Sequence, residues 1–173
     1  MPTEPERRLS APPTTESLRE IGLFGALTDE VLHHLASSLP VQVVGAGEHV
    51  FREGDSAREM FVVLSGEVEV LKRGKRGAET RVALLGPGDW FGEMSILDVQ
   101  PRSATVTAVA PSRLLKITSE SLDALYRRDL KSYSLIVLNV ARELSRRLRV
   151  ADGIIADFVA NVFDEYVVSS RRK

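Results

Sequence analysis

The residues best suited to chemistry stand together in one stretch of the chain. It reads Gly88-Asp89-Trp90-Phe91-Gly92-Glu93-Met94-Ser95-Ile96-Leu97, then Pro101-Arg102-Ser103-Ala104-Thr105-Val106. Gly92 permits a positive φ or a close backbone approach. Glu93 to Leu97 can close one helical turn whose first amides face an anion. Arg102 supplies a fixed cation able to grip two phosphate oxygens at once, and Pro101 stiffens the chain before it. The amides of Ser103 and Ala104 follow as a strand begins, so a helix start, a guanidinium and a strand start converge on one anion. Glu93 would be repelled by that anion, so its carboxylate is expected to face another part of the ligand. An ionised carboxylate only accepts hydrogen bonds, which makes a sugar hydroxyl a natural partner. An anionic head beside a free hydroxyl describes the ribose-phosphate ring of a 3′,5′-cyclic nucleotide. The plainer alternative is that Glu93 and Arg102 pair with each other across a turn, with Ser103 a simple strand-start residue.

Other chemistries find little support. The chain has no cysteine, so disulfides, thiolate metal sites and thiol nucleophiles are excluded. His33 and His34 are adjacent on a helical segment and point in different directions, and His49 has no histidine partner on a strand. No activated Ser–His–Asp arrangement is visible, so neither catalysis, a metal nor a cofactor is expected. The net charge is −1, so the total does not call for a strongly basic face toward nucleic acid, and local basic patches stay open. The first residues lack the apolar core of a secretory signal, and no apolar run approaches the roughly 18 residues of a membrane span. A soluble cytoplasmic protein without membrane contact is the expectation.

The elements that must position the stretch follow from the pattern of the 173 residues, 43% hydrophobic and 27% charged. Residues 1–15, rich in Pro, Thr and Ser, read as a disordered tail. A short helix is expected around Glu16–Ile21, and a second begins at the N-cap Thr28, carries Val31, Leu32 and Leu35, and ends near Pro40. From Val41 the texture changes to Val-, Leu- and Thr-rich runs divided at Gly45–Gly47, Gly54–Asp55, Ser65–Gly66, Gly74–Gly77 and Gly86–Asp89. That pattern predicts hairpin-linked antiparallel strands. Glu67-Val68-Glu69-Val70 and Ala104-Thr105-Val106-Thr107-Ala108 alternate with the period of a half-buried strand. Lys72, Arg73, Lys75 and Arg76 read as a solvated hairpin tip, and Trp90 as a core or rim anchor. After Pro111 and the strand-like Leu114–Ile117, Thr118 or Ser119 caps a helix bearing Leu122, Leu125 and Tyr126. A long helix is then expected from about Ser134 to Val167, with a heptad seam at Val137, Ala141, Leu144, Leu148, Ala151, Ile155, Phe158 and Val162. The domain organisation is thus a tail over 1–15, a β domain with flanking helices over 16–133, and a long helix over 134–168.

The stretch closely resembles the phosphate-binding cassette of cyclic-nucleotide-binding domains. These occur in the bacterial catabolite activator, the regulatory subunits of cAMP-dependent kinase and cyclic-nucleotide-gated channels. The resemblance runs from about Leu18 to Val150 and includes Gly47-Glu48, Phe51, Gly54-Asp55 and Leu64-Ser65-Gly66-Glu67-Val68. It implies a mainly β fold, an antiparallel β-roll of double-stranded β-helix or jelly-roll type with N-terminal helices and a long C-terminal helix. It further implies that Glu93 binds the ribose 2′-hydroxyl, that Arg102 pairs with the cyclic phosphate, and that amides near Gly92, Ser103 and Ala104 complete the cradle beside Met94. The Ser103 hydroxyl would reach the phosphate or a purine edge. The long helix would act as a lid over the base, with Arg147, Ala151 and Asp152 near it, and can pair with a dimer mate. Asp152 can accept two hydrogen bonds from a guanine edge but one from adenine, so both cAMP and cGMP stay open. A solvated helix-surface Asp152 is the bland alternative.

The implied role is a cyclic-nucleotide-binding regulatory sensor whose ligand moves the C-terminal helix, as a homodimer acting on an effector protein. An interaction module of the same fold that no longer binds nucleotide is the alternative. Only about 20 residues follow Asp152, too few for a DNA-binding domain, so direct DNA binding by this chain is not expected.

Overall fold

The computed structural model describes residues 11–170, with side chains as far as Val162. The expected tail falls largely outside these residues, as does the basic end Arg171-Arg172-Lys173. The chain divides into two compact units, residues 1–136 and 137–173.

The first unit opens with helix α1 (Thr15–Arg19), capped by the Thr14 hydroxyl, which accepts from Ser17 N at 3.1 Å. A 3₁₀ turn at Gly22–Phe24 and helix α2 (Asp29–Ser38) follow. Thr28 occupies the N-cap position of α2 as expected, though its side chain makes no capping bond. These elements turn inward Leu18, Leu23, Phe24 and Leu32, each at most 1% exposed.

Among the described residues six antiparallel strands form one sheet: β1 (Val41–Val44), β2 (His49–Phe51), β3 (Glu59–Arg73), β4 (Glu79–Leu85), β5 (Trp90–Phe91) and β6 (Thr105–Thr118). The long strands β3 and β6 run against each other from Glu59↔Thr118 to Leu71↔Thr105. Each then serves two short partners. β3 takes β5 at Phe61 and Val62 and β4 from Val68 onward, while β6 takes β1 at Ser112–Leu115 and β2 near Val106.

The sequence breaks at Ser65–Gly66 and Pro111 do not separate strands. The register shifts between Val63 and Val68 instead, so both breaks become an irregularity inside continuous strands. A side chain at Gly66 would sit 2.4 Å from Ser112 Oγ and 2.5 Å from the Pro111 carbonyl. Ser112 Oγ accepts from Glu67 N at 3.1 Å and donates to Ala110 O at 2.7 Å, replacing ladder bonds lost at the irregularity. A proline in a strand interior is tolerated at such a site because its missing N–H is not needed there.

The sheet core is Val44, Phe61, Val63, Val68, Leu85, Phe91, Val106, Ala108 and Leu114, with Val50, Phe51, Val70 and Ala83 packed against it. The apolar phases of β3 and β6 converge here, and the cassette leaves from this core at Phe91 and returns at Thr105. Between them lies a single helical turn, α3 (Met94–Leu97). Helix α4 (Ser119–Arg128) follows β6, and Thr118 with Ser121 forms a reciprocal capping box at its start.

Helix α5 runs Leu130–Ser170 and carries the second unit. Its start is held by Asp129, whose carboxylate accepts from Ser132 Oγ at 2.7 Å and from Lys131 N at 3.0 Å. Within the second unit Glu143 pairs with Arg146 and Arg147 one turn on. Leu148, Ile155, Phe158 and Val162, four members of the heptad seam, are exposed on the chain. No helix among the described residues is long and apolar enough to cross a membrane.

Candidate functional site

Arg102 is the centre of the site, and its backbone is fixed first. The turn after β2 presents Gly54 and Asp55 to it: Arg102 N donates to Asp55 O at 2.8 Å, and Gly54 N donates to Arg102 O at 2.9 Å. The Asp55 carboxylate shapes that turn by accepting from Arg52 N at 2.8 Å. With both sides of its peptide held, Arg102 sends its side chain inward and is 3% exposed. Nη1 donates to the carbonyls of Glu59 at 2.7 Å and Gly92 at 3.1 Å, and Nη2 to the Glu59 carboxylate at 3.2 Å. The guanidinium lies 3.9 Å from the centre of the Phe51 ring, which packs at a tilt against the stacked Phe61–Phe91 pair.

Two features of this guanidinium bear on what it can hold. Its Nε–H is buried and has no acceptor in the described structure, although a buried donor left unpaired costs about 1–3 kcal/mol. Burial also pushes its pKa below the ordinary arginine value, against the raising effect of Glu59, then Asp55, then Glu93. A bound anion would supply the missing acceptor and offset the burial penalty on the positive charge.

Gly92 is required by geometry. Its φ is +82°, and a Cβ would stand 2.6 Å from Arg102 Nη1 and 3.3 Å from the Glu59 carbonyl. Glu93 follows at the start of α3, where its carbonyl accepts from Ile96 N and Leu97 N, both at 3.1 Å. The helical turn read from the sequence therefore forms. Glu93 is 3% exposed, and its negative charge acts on Arg102, while the carboxylate hydrogen-bonded to the guanidinium is that of Glu59. Met94 and Ser103 are exposed on the cassette surface, with Ser103 Oγ 3.7 Å from Met94 Sδ, and Ala104 is half-buried. Val99, between α3 and Pro101, is held at φ +57°, a left-handed conformation that β-branched residues rarely adopt. Gly92, Glu93, Met94, Arg102, Ser103 and Ala104 thus form one cluster. Arg147 and Asp152 belong to the second unit; Arg147 Nε donates to Glu143 Oε1 at 2.9 Å and Asp152 is exposed on its helix.

Sequence reasoning missed three participants. Phe51 and Asp55 stand in the resembling segments without an implied role, and no sequence signal singles out Glu59. Glu59 meets Arg102 only because the β3–β6 register brings the start of one strand to the cassette, and local sequence carries no signal for that. Lys72 is exposed, as a solvated residue should be, but it lies within β3 and donates to the Ser103 carbonyl at 2.5 Å and to Glu53 Oε1 at 2.7 Å. Among the described residues no group of three or more His, Cys, Asp or Glu is arranged to hold a metal ion.

Comparisons with known proteins agree on the fold and the family. The sequence model of the cyclic nucleotide-binding domain matches residues 41–129. A cyclic AMP receptor protein of Thermus thermophilus is 38% identical over 130 residues, 75% of this chain and 58% of that protein. A cAMP-dependent protein kinase regulatory subunit of Yarrowia lipolytica is 42% identical over 91 residues, 53% of this chain and 24% of the relative. The chain therefore spans less than two thirds of the length of these curated relatives. The crystal structure of a cyclic nucleotide-binding domain from Methylobacillus flagellatus superposes with a TM-score of 0.71 at 27% identity, covering 79% of this chain and 76% of that one. With residues 41–129 matched and the sheet and long C-terminal helix shared with that structure, the chain belongs to the cyclic nucleotide-binding domain family.

Proposed function

We propose that this chain is a non-catalytic sensor that binds cAMP or cGMP through the cluster around Arg102. The observation that carries the reading is the Arg102 guanidinium, buried and framed by backbone, with its Nε–H lacking an acceptor. The cyclic phosphate supplies that acceptor, and the amides of Ser103 and Ala104 complete the cradle. Glu93, held at the start of α3, accepts from the ribose 2′-hydroxyl, since a carboxylate offers the sugar an acceptor and repels the phosphate. The relatives named for cyclic AMP lend cAMP support, while the two acceptor oxygens of Asp152 suit a guanine edge, so both nucleotides belong in the test.

The regulatory output is proposed to run through α5. Its exposed seam at Leu148, Ile155, Phe158 and Val162 fits a homodimer, and an effector protein would read the change. Ligand can shift that helix only by binding one arrangement more tightly than the other. By family resemblance Arg147 and Asp152 are the residues to test as base contacts.

Calorimetric titration with cAMP and cGMP tests the reading. Micromolar binding by the wild type is expected, abolished in Arg102→Leu, with any guanine preference lost in Asp152→Ala. Absence of heat with both nucleotides, together with an unchanged melting temperature in excess nucleotide, would favour the interaction module that has lost its ligand. A ligand at a hundredfold its Kd adds about 2.7 kcal/mol to stability.

A further inference from the structure

The peptide units on either side of Ser103 are oriented by hydrogen bonds to their carbonyls. The Arg102 carbonyl accepts from Gly54 N at 2.9 Å. The Ser103 carbonyl accepts from Lys72 Nζ at 2.5 Å. No peptide bond among the described residues is cis, and in a planar trans peptide the N–H points opposite to the C=O. The Ser103 N–H is therefore turned away from Gly54, and the Ala104 N–H away from Lys72. The first orientation is set by backbone, the second by one side chain.

That side chain is itself held. Lys72 lies near the end of β3, opposite Thr80 of β4, and its ammonium pairs with Glu53 Oε1 at 2.7 Å. The other carboxylate oxygen of Glu53 accepts from Arg73 N at 3.1 Å. Glu53 N donates to Thr105 Oγ1 at 3.0 Å, and Thr105 is buried. A closed circuit results, from Thr105 through Glu53 and Lys72 back to Ser103, around the strand start that leaves the cassette. Lys72 and Arg73 keep Glu53 below the ordinary carboxylate range, first through the Lys72 hydrogen bond, so the anionic partner of Lys72 persists at neutral pH.

We infer that Lys72, braced by Glu53, is a positioning residue for nucleotide binding, which aims the Ala104 amide at the phosphate by holding the Ser103 carbonyl. It acts without touching the ligand. The inference rests on the proposed binding of a cyclic nucleotide at Arg102. It separates Lys72 from Lys75 of the same hairpin, which lies in the exposed turn.

The test compares the wild type with Lys72→Met, Lys72→Arg and Lys75→Met in the full chain. Dissociation constants for cAMP and cGMP are measured by calorimetry, and the Ala104 amide resonance is followed by NMR without nucleotide. Lys72→Met is expected to weaken binding about tenfold, the scale of one charge-assisted hydrogen bond, and to move the Ala104 resonance. Lys72→Arg restores most of the affinity, and Lys75→Met, which removes the same charge nearby, stays within about twofold, as surface charges screened by salt should. Equal loss in Lys72→Met and Lys75→Met would reduce the effect to long-range charge and overturn the inference, as would wild-type affinity in Lys72→Met. If the wild type binds neither nucleotide, the functional reading fails, and an Ala104 resonance unmoved in Lys72→Met then overturns the positioning role on its own.

Discussion

Replacing Gly92 with alanine perturbs the site at one atom. The backbone there has φ +82°, and forcing a residue with a Cβ into the left-handed region costs about 1–2 kcal/mol. The added Cβ would also lie 2.6 Å from Arg102 Nη1. Restoring ordinary contact requires the guanidinium to retreat by about 0.8 Å, since carbon packs comfortably only beyond about 3.4 Å. Arg102 has little room to retreat: it is 3% exposed, lies over Phe51, and its Nη1 holds two carbonyls. Losing one charge-assisted bond adds about 1.5–3 kcal/mol. A total loss of about 2.5–5 kcal/mol in stability is expected. Gly77 provides the control, with φ +83° and nothing within 4 Å of a built Cβ. Gly77→Ala should cost only the backbone strain, about 1–2 kcal/mol, and leave nucleotide affinity unchanged, whereas Gly92→Ala should also weaken affinity by at least about tenfold. Denaturant unfolding and calorimetry on both variants supply the numbers. A Gly92→Ala protein no less stable than Gly77→Ala, and binding as tightly, would refute the close approach of Gly92 to Arg102.

Phe51→Leu keeps an apolar neighbour but removes the ring beneath the guanidinium; a cation–π loss of about 1 kcal/mol should appear as roughly fivefold weaker nucleotide binding in calorimetry. Ser112→Ala should destabilise the β3–β6 irregularity by about 1–3 kcal/mol in denaturant unfolding, because the half-buried Glu67 amide loses the acceptor that the fully buried Ser112 hydroxyl supplies. Asp129 is held below the ordinary carboxylate value, first by the Ser132 hydroxyl and then by the Ser132 amide. A depressed carboxylate adds stability above its unfolded pKa and loses it as pH falls through the folded value. Acid unfolding below about pH 4 should therefore be less steep in Asp129→Asn than in the wild type, and parallel curves would remove Asp129 from the acid transition.

Much of the fold was legible because its signals are local. The change from helical spacing to Val- and Thr-rich runs at Val41 marks the sheet, and the capping position of Thr118 marks the return to helix. The Ser65–Gly66 and Pro111 breaks misled because glycine and proline mark irregularities inside strands as well as turns. Only pairing of the two segments, with Ser112 Oγ bridging them, distinguishes the cases. The cassette was legible for a different reason, since Gly92, Glu93 and Arg102 lie within a short stretch and carry complementary chemistry. Glu59, Phe51 and Lys72 reach the same place from elsewhere in the chain. Their roles depend on strand register and on which face a long side chain crosses, which no local pattern records.

The most direct measurement follows the Arg102 Nε–H resonance in a ¹⁵N-labelled chain during titration with cAMP and with cGMP. With the cyclic phosphate on Arg102, this signal moves markedly on saturation, as the buried donor gains a phosphate oxygen, and the movement tracks the calorimetric isotherm. Nucleotide binding that leaves the Nε–H resonance where it was would mean that Arg102 does not hold the phosphate.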